Sequence, residues 1–200
     1  MASAVDIANT ALSHIGADAV VTSLSPLDGS VEAGHCARFL PIARQAVLSA
    51  EYSWAFARKR VVLAELTNDS TEWAYKYQVP SDCLRTRKVL AHDVADTPER
   101  GTAKYEREGD ALYTNQPEAT LIYTRDVTDT TRYPADFVSA LGMILAGYLA
   151  GPIIKGADGA RLGGAWATRG YDAMRSAAAN DANASKDTAD YTPASITARA

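Results

Sequence analysis

Hydrophobic residues in this chain follow a helical period at both ends and an alternating one in the middle. Ala4, Val5, Ala8, Ala11, Leu12 and Ile15 fall on one helical face. Ser3 with Asp6 forms a capping pair, and Gly16 supplies a stop, so a first helix is predicted between them. A turn-rich stretch follows through Ser25, Pro26, Asp28 and Gly29. Apolar or small residues then recur at Ala33, Cys36, Leu40, Ala43, Val47, Ala50 and Trp54, a heptad-like seam. Helices are thus expected over about residues 3–52. Pro41 lies inside the seam and predicts a kink or break near Ala37 to Pro41, because proline removes a backbone donor.

From about residue 56 to 127 short β-branched and aromatic runs alternate with turn signals, which predicts an antiparallel β region. The expected strands are Ala57 to Leu66, Tyr75 to Val79, Leu84 to Ala91, Ala103 to Arg107, Ala111 to Thr114 and Ala119 to Val127. Gly109 and Asp110 make the clearest hairpin turn. Pro80, Pro98 and Pro117 mark loops.

Helical spacing returns after Tyr133 and Pro134, with the proline expected in the first turn, where its missing donor costs nothing. Phe137, Leu141, Ile144, Leu145 and Tyr148 form a large-residue face of this third helix. Gly142, Ala146 and Ala150 form a small-residue stripe that permits close approach by another helix of the same chain or of a neighbour, and they are taken as candidates for packing between subunits. A fourth helix over about Asp158 to Ala184 is carried by Leu162, Trp166, Ala173, Met174 and Ala177. Gly163, Gly164 and Gly170 each cost it about 1 kcal/mol relative to alanine. Residues 186–200 are polar, small and proline-containing, the composition of an extended tail. The expected fold is α+β: a bundle of about four helices (3–52 and 134–185) with an inserted antiparallel β region (56–127) and an extended C-terminal tail, in a single domain over 1–200.

Composition narrows the function. The net charge is −4, from 20 Lys and Arg against 24 Asp and Glu, so the surface has no overall cationic field for gripping nucleic acid. Cys36 and Cys83 stand outside any metal-binding spacing, which suits a reducing compartment. The first residues lack a secretory pattern, so synthesis in the cytoplasm is expected. Residues 137–154 carry no charge, but Gly142, Gly147, Gly151, Pro152 and Ser139 interrupt the run and no aromatic belt flanks it. It reads as a helix buried in a protein or assembly rather than in a membrane.

Candidate chemistry is sparse. His14, His35 and His92 lack metal-pairing spacing and read as packing or surface residues, and no metal or other cofactor is expected. His35 and Cys36 are helical neighbours that point about 100° apart, poorly placed as a catalytic pair. Gly151 to Gly156 superficially resembles a phosphate loop, yet Ala157 and Asp158 stand where Lys and Ser or Thr would be needed. Glu106 and Glu108, two apart on a strand with Asp110 in the turn, are the best enzymatic candidates, since such carboxylates can flank a glycosidic bond. A charged hairpin edge explains them as simply, and the chain reads as a non-enzyme. Arg58, Lys59 and Arg60, then Arg85, Arg87 and Lys88, are basic clusters. They suit contacts to a channel, to phosphates or to a partner, and equally suit charge that protects sheet edges.

Several ordered segments carry a family resemblance. They are Ile7-Ala-Asn-Thr-Ala-Leu-Ser-His-Ile-Gly-Ala17, Cys36-Ala-Arg-Phe-Leu-Pro-Ile-Ala-Arg-Gln-Ala-Val-Leu48 and, most specifically, Tyr52-Ser-Trp-Ala-Phe-Ala-Arg-Lys-Arg60. Trp73-Ala-Tyr-Lys-Tyr77, Val79-Pro-Ser-Asp-Cys-Leu-Arg85, Tyr105-Glu-Arg-Glu-Gly109 and Tyr123-Thr-Arg-Asp-Val-Thr-Asp129 continue the series. In this order the chain resembles the tail tubular protein A family, the head-to-tail adaptors of short-tailed bacteriophages, over about residues 7–150. The resemblance implies a structural virion protein, not an enzyme. Copies of it form a homo-oligomeric ring, typically of twelve, between the portal protein and a nozzle of tail tubular protein B type. The ring extends the channel for double-stranded DNA ejection, with no membrane involved. The helices would then meet portal and neighbours and the β region the tail side. Tyr191, Ile196 and Arg199 are the expected anchors of a tail that docks on portal or a neighbouring subunit. An adaptor that also hydrolyses polysaccharide or cell wall is the alternative, and a stand-alone nucleic-acid binder fits the acidic charge poorly.

Overall fold

The fold is described from a computed structural model for residues 2–91 and 102–184. The first helix, α1 (Ala4–His14), begins at the expected capping box: Ser3 accepts from the Asp6 amide and Asp6 from the Ser3 amide. Gly16, at φ +74°, ends it in a conformation that glycine adopts without strain. In the loop beyond, the exposed Asp28 carboxylate accepts bonds from Ser30, Thr22 and Ser23, which hold its pKa far below the usual range. This acidic knot leads to Ser30, which caps α2 (Val31–Leu48) by accepting from the Ala33 amide.

Of the expected kink or break the break does not occur: helix α2 is continuous through Pro41, and it stops at Leu48 rather than near residue 52. One missing bond does not outweigh a fully buried inner seam of Ala33, Cys36, Ala43 and Val47. Trp54 lies beyond the helix end yet is buried, and its indole donates to the Val47 carbonyl at 3.2 Å.

The β region comprises β1 (Arg58–Val62), β2 (Glu65–Leu66), β3 (Tyr75–Gln78), β4 (Cys83–Leu90), β5 (Tyr105–Glu108), β6 (Ala111–Thr114) and β7 (Thr120–Arg125). They form two antiparallel sheets, β1-β7-β4 and β2-β3-β6-β5. The single strand expected over Ala57 to Leu66 is therefore two, which change sheets at the buried Leu63. Gly109, at φ +55°, makes the expected turn between β5 and β6. The sheets share a second core built around Tyr77, Val89, Leu112, Leu121 and Tyr123.

Pro134 takes the cap position of α3 (Ala135–Ile154), one step before the expected first turn. Helix α3 is the hub of the helical layer: α1, α2 and α4 (Gly156–Ala184) all pack on it, α4 most extensively. It is the one described helix long and apolar enough to cross a membrane. Its large-residue face and its small-residue stripe are both buried, apart from Tyr148 at the rim. The segment that resembled a phosphate loop is the last turn of α3 and its joint with α4, with Lys155 and Gly156 at positive φ and a helix, not a strand, before it. The expected tail, including Tyr191, Ile196 and Arg199, lies outside the described residues, as do His92 and Pro98.

Candidate partner-contact surfaces

Two residues of β4 fall outside its register with β7, Leu84 and Arg87, and both serve the joint between the layers. A bulge inserts one extra residue and re-aims its side chain. Leu84 accordingly packs against the helical core. Arg87 reaches the end of α2, where helix carbonyls lack partners. Its Nη2 donates to the carbonyls of Ala50 at 2.7 Å, Tyr52 at 2.8 Å and Leu48 at 3.4 Å. Its Nη1 donates to the Glu51 carbonyl at 2.6 Å and its Nε to Thr124 Oγ1 at 2.7 Å. Burial, with Arg85 nearby, pulls the Arg87 pKa below its ordinary value. Arg85 donates to the Ser49 carbonyl at 2.9 Å. These two arginines, expected as channel or partner contacts, are both engaged within the chain as a clamp on the end of α2.

The other basic residues flank the same sheet, whose edges are β1 and β4. Arg58, Lys59 and Arg60 are exposed on β1, and Lys88 is half-buried on β4. Lys59 pairs with Asp82 at 2.9 Å, and Tyr123 donates to the second oxygen of that carboxylate at 2.6 Å. The Asp82 bond raises the Lys59 pKa. Of the expected cluster, then, the exposed β1 edge remains the surface most open to a partner.

The small-residue stripe is a correction. Gly142, Ala146 and Ala150 are buried inside the protomer, so they do not serve packing between subunits. A Cβ on Gly142 would sit 3.7 Å from Thr10 on α1, and Ala150 faces α4. Closest approach falls to glycines of α4, two of which, Gly163 and Gly170, were counted above only as costs. A Cβ on Gly163 would lie 2.9 Å from the Gly147 carbonyl oxygen, and one on Gly159 would lie 2.8 Å from that of Ala150. On Gly170 it would lie 2.5 Å from Ile144 Cγ1. Only Gly164 among the three expected costs faces open space.

Helix α2 also carries a second apolar stripe, exposed at its ends, Val31 and Ile42, and half-buried between them. Val31, His35, Phe39 and Ile42 follow helical spacing on a side away from the inner seam. Val31 is 70% exposed and Ile42 47%. Phe39 stacks between His35, at 6.4 Å, and Tyr148 of α3, at 6.0 Å. Sequence reading followed the inner seam and missed this outer one, although its spacing was legible.

Glu106 and Glu108 do share a cavity of about 410 Å³, with Asp69, Glu72, Trp73 and Tyr113 around it. Both are exposed on the edge strand β5, and Glu106 accepts from the Trp73 indole at 3.3 Å. Asp110 does not line the cavity. Among the described residues no group of His, Cys, Asp or Glu is placed to hold a metal ion. His14 stacks on Trp166 at 4.4 Å, where burial lowers its pKa. Burial raises the Cys36 thiol to about 11 and pushes Cys83 upward too, so neither is primed as a nucleophile. No protein-family model matches the chain. No curated protein matches it either.

Proposed function

We propose that the chain is a structural subunit of a short-tailed phage virion, a ring-forming adaptor that joins the portal to the tail nozzle. The outer stripe of α2 carries this reading: a helix already buried along one seam keeps Val31, Phe39 and Ile42 on a second side, which a neighbouring protein would cover. The order of the segments that resemble tail tubular protein A supports it independently. Around a closed ring such a contact is heterologous, the stripe of each copy meeting a different, complementary surface of the next.

In this role the portal protein, the nozzle protein and further copies of the chain are the partners, twelve copies being the number the resemblance implies. Synthesis is in the host cytoplasm and residence in the portal-proximal tail. A net charge of −4 suits a conduit from which double-stranded DNA must slide. The glycan-hydrolase alternative rests on the open cavity at Glu106 and Glu108. Both carboxyls are exposed there, whereas the acid in that chemistry is normally shielded so that it keeps its proton.

Particle imaging of the full chain mixed with purified portal tests the reading. A variant carrying Val31→Glu and Ile42→Glu should fold normally and fail to close the ring.

A further inference from the structure

Two cavities open along one side of α4. One, of about 300 Å³, lies between Tyr148 of α3 and Tyr171, over Gly164 and Ala167. The other, of about 500 Å³, runs from Tyr171 past Met174 and Ala178 to Tyr52, Trp54 and Arg85. They share Tyr171. Gly164, Ala167, Tyr171, Met174 and Ala178 recur at helical spacing, so the cavities form one trough along a single stripe of α4.

We propose that residues 185–200 fold back along α4 of their own chain and seat Tyr191 and Ile196 in this trough. Reach allows it. Helix α4 ends at Ala184, nine residues past Arg175 at the rim of the larger cavity, or about 13 Å of helical rise. The seven residues from Ser185 to Tyr191 span up to about 23 Å when extended, enough to reverse and reach that cavity. Spacing fits as well. Ile196 lies five residues beyond Tyr191, about 16 Å in extended chain. Ala167 and Met174, which line the two cavities, are about 11 Å apart along α4, and the length of each cavity absorbs the difference.

The chemistry agrees with that direction. Tyr191 and Ile196 are the two large apolar residues of the segment, one for each cavity. Pro193 between them favours the extended backbone the trough requires. Tethering keeps the local concentration of the segment high, so modest contacts suffice. The inference does not depend on ring formation, because the receptor is the chain itself.

Disulfide trapping in the full-length protein tests it. A cysteine at Thr192 is paired with one at Arg175, on the rim of the trough, or with one at Ser176, the next residue but turned away from the trough. A seated segment should cross-link to position 175 at least about ten times faster than to 176, within one chain by mass, and Tyr191→Ala with Ile196→Ala should abolish the preference. Equal rates at the two positions would overturn the proposal. A preference found only between chains, rising with concentration, would overturn it too and assign the trough to the segment of a second copy.

Discussion

Replacing Gly170 by alanine tests how closely α3 and α4 approach. The new Cβ would lie 2.5 Å from Ile144 Cγ1, 2.8 Å from its backbone nitrogen and 3.1 Å from its Cα. A side chain tip can rotate away; the α3 backbone cannot, so the helices must separate along their whole contact. Alanine favours a helix over glycine by about 1 kcal/mol, which opposes the loss. Overpacking against a fixed neighbour costs about 1–3 kcal/mol and sometimes more, and backbone contact puts this site at or above the upper end. The expected net loss is about 2 kcal/mol, or about 4–8 °C in Tm for a chain of this size. Gly164→Ala supplies the control, since nothing lies within 4 Å of its Cβ position. It should raise Tm by a few degrees, and it leaves the helix composition the same as in the test variant. If Gly170→Ala melts at or above the parent in thermal denaturation, the close contact is wrong.

Arg87→Ala should destabilise the fold by about 3 kcal/mol, because it strands several carbonyls at the end of α2 at once. Arg87→Lys should recover less than half of that in urea titration, since an ammonium lacks the planar fork. Acid sensitivity should trace in part to Asp126. Burial pushes its carboxyl up, but bonds from Arg44 at 2.8 and 2.9 Å and from Gln45 outweigh it and hold the pKa below the usual value. A depressed folded pKa gives stability that is present above the unfolded value of about 4 and lost as pH falls below it. The stability gap between parent and Asp126→Asn should therefore be constant from pH 7 to 5 and shrink below about pH 4; a gap that persists there would refute the pairing.

Periodicity made the helices and most strands legible, because burial in a core repeats along the sequence. The Ser3–Asp6 cap and the turn at Gly109 were legible too, since local backbone geometry dictates their residues. The clamp at Arg87 was not. An extra residue in β4 turns that side chain out of its strand alternation, and only pairing with β7 reveals the extra residue. The packing role of individual glycines in α4 was not legible for a related reason. Propensity assigns each a cost within its own helix, whereas Gly159, Gly163 and Gly170 are set by the distance to α3. The stripe at Gly142 marked a buried helix face, but the closest backbone approach lies at other glycines, and a spacing pattern says nothing about whether the covering helix belongs to the same chain.

The adaptor role is tested most directly by imaging the purified full-length chain mixed with a portal protein from the same genome. The account predicts closed rings seated on one end of the portal, and their loss in the Val31→Glu, Ile42→Glu variant at an unchanged melting temperature. A chain that stays monomeric and leaves the portal bare, or a variant that assembles as well as the parent, would contradict it.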